Sequence, residues 1–572
     1  MVAFEAAARA ALVQLAVMPC ALGLALTMSS AAPYWQSAAA ARSTPPEILK
    51  AIRAAPWRGA LEPTPSSSSA AGPGGLRLES MEVVEGELPA DLAGTLYKNG
   101  PGRIRIGEQR YGHWFDGDGF VTALNFAGDG TASFRAEYVK TERYVAQELA
   151  GVDAGIVRRG AWTQKAGGAL DNAFRVPTNP GNTNLLVVDG RLLATCEGGL
   201  PIELDPITLE TKGDFDFGGS MKSFFAAHSK IDPFKSRVCA FGLILGPGTP
   251  DINIMEANAD GSNLVQHAHP LPFTTFVHDM GVTANHLVFM VPPWTVDPLD
   301  TLNFLAGVKA YGTMFKWTPE KGTWVLIADR NDLTKLHRVR LPEAVSLYHI
   351  ISAHEDEVEG ARRLTLNVAR HIGSRTKLES SFANMYDAFF EEDQECEAWQ
   401  YTFTRTSAGA SAGAATEWSY ASSTKVETAY PFELPDVNPG TFCEGTPARY
   451  AFVNALTGRD GNNGILDGIM RIDLRPPGNG ASPVWTAGAG KFAGAPTFMP
   501  RQRAQESKSS PMVADGERDL DGYVLTYVYC STTHTTQAVI LDARAIEAGP
   551  VAVLQLPYHL PLSFHGTYME AR

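Results

Sequence analysis

From Leu76 onward the chain is a succession of short apolar, β-branched runs separated by turn residues, and that pattern restricts the fold more than any other feature. LLVVDGRLLAT, HLVFMVPPW, RRLTLNVAR and YVLTYVYC have the length and composition of strands. Asp116-Gly117, Asp189-Gly190, Asp260-Gly261, Asp467-Gly468 and Asp521-Gly522 supply hairpin chemistry between such runs, because a type I′ turn needs positive φ, which Asp-Gly tolerates. Many short strands at this spacing point to an all-β sandwich, barrel or propeller. The chain shows no clean repeat, so the residues alone leave those three open. Helix is expected at Phe382 to Glu391 (FANMYDAFFE) and in parts of the insertions.

Length and composition narrow the class. A chain of 572 residues can hold several domains, yet a propeller of small sheets occupies nearly 500 residues as one unit. With 44% apolar and 19% charged residues, this is a folded globular protein. The net charge is −14, and residues 1–75, with five basic and three acidic side chains, leave the remainder still more acidic. A polyanion needs a basic face, so nucleic acid is excluded as a partner. The six cysteines (Cys20, Cys196, Cys239, Cys396, Cys443 and Cys530) form no CxxC pair and read as free buried thiols.

The first 75 residues differ in kind. Residues 1–45 are rich in Ala and Ser and contain one acid, Glu5, the composition of an organellar transit peptide, for which a plastid address fits best. The alternative is a secretory or membrane-anchoring segment over residues 10–28, but that run is broken by Gln14 and Pro19. Pro63 to Gly75 (PTPSSSSAAGPGG) reads as a flexible linker. A single domain is therefore expected over residues 76–572.

Four histidines stand in unlike and recognisable contexts: His228 in FFAAHSKIDP, His278 in TFVHDMGVT, His349 in SLYHIISAHEDE and His565 in LPLSFHGTY. Successive gaps of 50, 71 and 216 residues exclude a local finger or a helical pair. GTLYKNGPG, GHWFDGDGFV and NTNLLVVDGRLLATCEGGLPIELDPITLET (Asn182 to Thr211) add further motifs, and PFELPDVNP and DGYVLTYVYC follow in order. Through these segments the chain resembles the carotenoid cleavage oxygenase family. The resemblance covers almost everything beyond residue 75, and the collinearity of individually weak motifs carries it.

The resemblance implies a seven-bladed β-propeller whose helical and loop insertions cap the metal-site face. It implies one Fe(2+) per chain held by His228, His278, His349 and His565, with no carboxylate ligand. Imidazole suits Fe(II), and four neutral ligands leave the full charge on the ion and two octahedral positions open. The family uses such an ion to add O2 across a conjugated double bond of a carotenoid or apocarotenoid, giving two carbonyl products. Metal-bound imidazoles donate their other N–H outward. By family motif Glu197 (ATCEGG) is matched to His278, and Glu433 (PFELP) to His349. The glutamate matched to His565 is missing: the family's Gly-Glu-Pro reads Gly494-Ala495-Pro496. His565 is then left to water, a backbone carbonyl or nothing.

Other readings compete. His354, five residues from His349, is taken as a spectator, and HEDEV lacks the second His of HExxH. GxSxG and P-loop patterns are absent, and Gly488-Ala489-Gly490 lacks dinucleotide spacing. Stilbene-cleaving members of the family carry a lysine beside the outer glutamate, where Cys196 stands here, which disfavours a stilbene substrate. A propeller that merely carries an isoprenoid is motivated by Ala495 and Ser352 but does not need four ligands. Leu299 to Phe315, with Leu302, Phe304, Leu305 and Val308, is the candidate patch for peripheral membrane contact.

Overall fold

A computed structural model describes residues 60–61 and 75–571, without 222, 233–234, 246–248, 374–393, 407–416, 440–446, 459–465, 478–481 and 503–517. Seven antiparallel sheets form a closed ring, the seven-bladed β-propeller the sequence leads one to expect. Their innermost strands, in ring order, are Gly566–Glu570, Asn184–Val188, Lys230–Asp232, Gly281–Val282, Ser346–Val358, Phe432–Asp436 and Thr497–Pro500. The ring closes at two places. The C-terminal strand Gly566–Glu570 pairs with Ala93–Arg103 in the first blade, and Glu82–Gly86 pairs with Pro550–Gln555 in the seventh.

The runs that identified strands are apolar on both faces because each blade is sandwiched between two others. His286–Val291 is buried at every position, and Gly522–Cys530 is buried except at its last. Seven apolar cores result, one between each pair of neighbouring blades. Leu96 and Leu124 of the first blade pack with Leu525, Ile540 and Leu554 of the seventh. Equivalent cores follow round the ring.

Only some Asp-Gly pairs turn hairpins. Asp189 (φ 49°) and Gly190 (φ 73°) make the two-residue turn between Asn184–Val188 and Arg191–Thr195, and Gly261 (φ 84°) lies in the loop before Val265–Pro270. Asp116 instead ends a short helical turn, Trp114–Asp116, and Gly117 has an ordinary φ of −59°. The carboxylates of Asp116 and Asp467 are buried and accept backbone N–H groups of Ala161, Trp162 and Thr457, so burial and hydrogen bonding fix those positions, not turn propensity. Asp521-Gly522 leads into Gly522–Cys530 without turning a hairpin.

Cys239 and Cys396 are buried as expected, whereas Cys196 and Cys530 are only half-buried, Cys196 because it borders the central cavity. The helix expected at Phe382 to Glu391 lies outside the described residues, as do Cys20, Cys443 and the run 10–28. Ala60 and Leu61, within the segment expected to be address and linker, are buried against Trp114, Phe492 and Phe564, and Ala60 O accepts the N–H of Leu562 at 3.0 Å. Their apolar side chains find a groove that the sequence does not display.

Candidate metal centre

Each of the four histidines lies at or near the start of an innermost strand. His228 precedes Lys230–Asp232, His278 precedes Gly281–Val282, His349 lies within Ser346–Val358, and His565 immediately precedes Gly566–Glu570. Because innermost strands converge on the ring axis, residues far apart in sequence become neighbours. The His228 ring is 4.4 Å from those of His278 and His565 and 4.8 Å from that of His349. His349 is 5.0 Å from His565 and 5.2 Å from His278. Ring nitrogens of His228, His349 and His565 lie within 4.8 Å of one another, and His278 flanks that triad.

The donor set fits a transition-metal ion. Nε2 of His228 and of His349 is buried and has no hydrogen-bond partner among the described residues. An orphaned buried polar atom costs about 1–3 kcal/mol, and an ion that takes the lone pair offsets that cost. Burial, reinforced by the neighbouring rings, holds the pKa of His228 and of His565 well below the ordinary histidine value, which keeps both imidazoles neutral. Burial also works against protonation of His278, but Glu197 outweighs it and raises that pKa.

The supports behind the rings are unequal. Glu433, fully buried on Phe432–Asp436, accepts from His349 Nδ1 at 2.6 Å and from the backbone N–H of Leu434 at 2.8 Å. Its other oxygen is hydrogen-bonded to His371 Nε2. Burial disfavours the carboxylate, yet His349 and His371 hold its pKa well below the usual range. With Nδ1 engaged, His349 presents Nε2 inward. Glu197 Oε1 approaches His278 Nδ1 to 2.5 Å, an ion-pair contact and not a well-directed hydrogen bond. Among the described residues the His565 ring has no hydrogen-bond partner. Its backbone is strapped instead: His565 O accepts from Asn99 N–H at 2.9 Å, and Phe564 N–H donates to Asn99 O at 2.8 Å.

Ala495 is buried against Leu434 and Leu466. Lys98, fully buried, donates Nζ–H to Ala495 O at 2.7 Å and to Thr497 Oγ1 at 3.0 Å. Burial lowers the Lys98 pKa to about 7. His354 sits half-buried farther along the His349 strand and belongs to neither histidine cluster.

Sequence reasoning missed His371 and Asp279. Asp279 Oδ2 accepts the N–H of Ile350, and Oδ1 meets Lys230 Nζ at 2.9 Å. Its position directly after His278 was an available signal, whereas His371 comes from a neighbouring strand that no motif marks.

His278, His349 and His565 open onto an aromatic cavity. Trp114, Phe115, Trp162, Phe276, Phe304 and Phe564 line it together with His278, His349 and His565. Segments 161–183 and 304–315, inserted between blade strands, supply much of the wall, so the insertions do cover this face. Such a lining suits an apolar, unsaturated ligand.

Residues 75–570 match the retinal pigment epithelial membrane protein family. Apocarotenoid-15,15'-oxygenase of Synechocystis is 29% identical over 86% of this chain and 93% of its own length. Isoeugenol monooxygenase of Pseudomonas nitroreducens is 27% identical over 85% of this chain and 94% of its own, and resveratrol cleavage oxygenase 1 of Chaetomium globosum is 26% identical over 86% of each. The structure of cobalt-substituted Synechocystis apocarotenoid oxygenase superposes with a TM-score of 0.73 at 27% identity, over 90% of this chain and 98% of that one. The same fold thus holds a metal in a relative. The chain belongs to the retinal pigment epithelial membrane protein family, the carotenoid oxygenase family whose motifs its sequence carries.

Proposed function

We propose that the protein is an Fe(2+)-dependent oxygenase that cleaves a conjugated carbon–carbon double bond of an apocarotenoid or carotenoid with O2, giving two carbonyl products. The observation that carries this reading is the convergence of three histidine nitrogens within 4.8 Å, flanked by His278, at the inner end of an aromatic cavity. His228, His278, His349 and His565 would hold the ion, which supplies the redox chemistry through which dioxygen is used. Glu433 and Glu197 fix the orientation of their histidines. The aromatic walls exclude water and hold a flat polyene by dispersion and area burial.

A stilbene or phenylpropenoid is the second reading, favoured by full-length likeness to relatives named for isoeugenol and resveratrol. The test is to load the full chain with iron and supply, under labelled O2, an apocarotenal, β-carotene or a hydroxystilbene. Two carbonyl products carrying the label are expected, and His228→Ala, His278→Ala, His349→Ala and His565→Ala should each abolish them while His354→Ala does not. An intact substrate recovered from iron-loaded protein would favour a carrier.

Peripheral membrane contact belongs to the same reading. Residues 299–315 divide between inside and outside: Phe304, Tyr311 and Phe315 line the cavity, whereas Leu299, Leu302 and Val308 are exposed, beside Leu170 and Phe174. The N–H of Phe174 donates to Leu305 O at 2.8 Å, joining the two segments into one apolar patch at the cavity wall. Among the described residues no helix is long and apolar enough to cross a membrane. Replacing Leu299, Leu302 and Val308 by Ser should reduce co-sedimentation with lipid vesicles while metal content stays constant. A plastid address in residues 1–45 is proposed on composition and is testable with a fluorescent fusion of that segment.

A further inference from the structure

We propose that Tyr311 is a binding residue for an oxygen atom on the substrate arm lying on the His278–Glu197 side of the cavity. The protein then selects a substrate with a hydroxyl or carbonyl oxygen on that arm over a pure hydrocarbon. This rests on the oxygenase reading and names the chemical class of what that site takes.

The other polar groups on this otherwise apolar wall are engaged or covered. Asp116 is committed to the backbone N–H groups of Ala161 and Trp162 and to the hydroxyl of Thr163. Thr178 donates to Arg159 O at 2.9 Å, Thr183 to Asn182 Oδ1 at 3.0 Å, and the Cys196 thiol faces Glu197 Oε2 at 3.8 Å. The Tyr348 hydroxyl, the indole nitrogens of Trp114 and Trp162, and Glu197 Oε1 are covered by protein. Tyr311 lines the same wall, and its hydroxyl makes no hydrogen bond to any described residue.

Its position is built. Gly312 donates its N–H to Ala161 O at 2.8 Å and lies so close to Trp162 that a Cβ there would come within 2.2 Å of the indole, which pins the turn Tyr311–Met314 to the wall. Rings then lead inward: Tyr311 to Phe315 at 5.2 Å, Phe315 to Phe276 at 6.3 Å, Phe276 to His278 at 5.8 Å. Burial, with the charge of Glu197 in range, pushes the Tyr311 pKa up to about 12, so the group is a neutral donor. A desolvated hydroxyl without a partner is unfavourable, and an acceptor oxygen on the ligand removes that cost.

The test measures equilibrium binding to the iron-loaded full chain by quenching of tryptophan fluorescence, using two matched probe pairs: trans-4-hydroxystilbene with trans-stilbene, and an apocarotenal with a methyl-ended polyene of equal length. The wild type should prefer the oxygen-bearing member of at least one pair by about three- to tenfold, and Tyr311→Phe should bring that preference to about unity with one metal per chain retained. The pair that responds identifies whether the oxygen is phenolic or terpenoid. Absence of preference in the wild type for both pairs, or a preference unchanged in Tyr311→Phe, overturns the proposal. Product formation is followed separately: a preference that depends on Tyr311 without cleavage would sink the oxygenase reading and leave the oxygen site standing.

Discussion

Glu433 and Glu197 approach their histidines by unequal means. Glu433 is held on both sides, by His349 and His371, in a site without solvent, whereas Glu197 is half-buried and makes a less well-directed contact. We expect Glu433→Gln to reduce metal retention or turnover about 10- to 100-fold and Glu197→Gln to reduce it less, read as metal per chain after dialysis against a chelator. Equal losses would show that the His371 contact contributes nothing. Ala495 poses a different question, because a carboxylate restored there would be buried. Lys98 Nζ lies 2.7 Å from the Ala495 carbonyl and would give that carboxylate a partner. Ala495→Glu should therefore be tolerated in the presence of Lys98 and destabilising in Lys98→Met, with a coupling of about 1–3 kcal/mol in a double-mutant cycle of thermal or denaturant unfolding. Additive effects would place the two groups out of reach of each other. The glutamate pairs were legible in sequence because each sits in a motif. Lys98 was not, because nothing in GTLYKNGPG says which carbonyl its side chain will meet.

The strand Ser346–Val358 shows how an element is modified to serve the site. Its register against Ala361–Gly373 shifts on either side of Ile350, so the ladder opens where His349 must turn inward. The N–H of Ile350 is satisfied by Asp279 from the neighbouring blade, and Asp279 also pairs with Lys230, which opens the strand after His228. Asp279 thus joins the segments that carry His228, His278 and His349. Asp279→Ala leaves a buried N–H and a lysine without their acceptor, and we expect a loss of about 2–4 kcal/mol together with weaker metal retention. A fall in melting temperature with metal affinity intact would confine Asp279 to a structural role. The strand itself was visible as an apolar run, but its bulges were not, because they answer to a partner in another blade. The Asp-Gly pairs carry the same lesson: the chemistry that allows a tight hairpin at Asp189-Gly190 also allows a buried acceptor at Asp116.

At the scale of the molecule the ring is held by seven cores and two closures, and the closures bear on the site because Gly566–Glu570 follows His565 directly. Leu61 packs with Phe564 in the same region. Removing residues 1–55 should leave stability unchanged, whereas removing 1–75 should cost about 2–3 kcal/mol for the buried Leu61, measured by denaturant unfolding of the two truncations side by side. Identical unfolding would return Ala60 and Leu61 to the linker. The sequence by itself determined the all-β class and the family, and it singled out four histidines and two glutamates as candidates, because strand propensity, turn chemistry and motif are local and survive in a linear reading. Only the tertiary structure decided that His228, His278, His349 and His565 meet, that Glu433 is shared with His371, that Lys98 is buried at Ala495, and that Tyr311 comes to the cavity wall with no hydrogen bond from its hydroxyl to any described residue. Those facts depend on which blades become neighbours and which polar groups find partners across the ring. Such contacts join residues tens to hundreds of positions apart, and no local pattern encodes them.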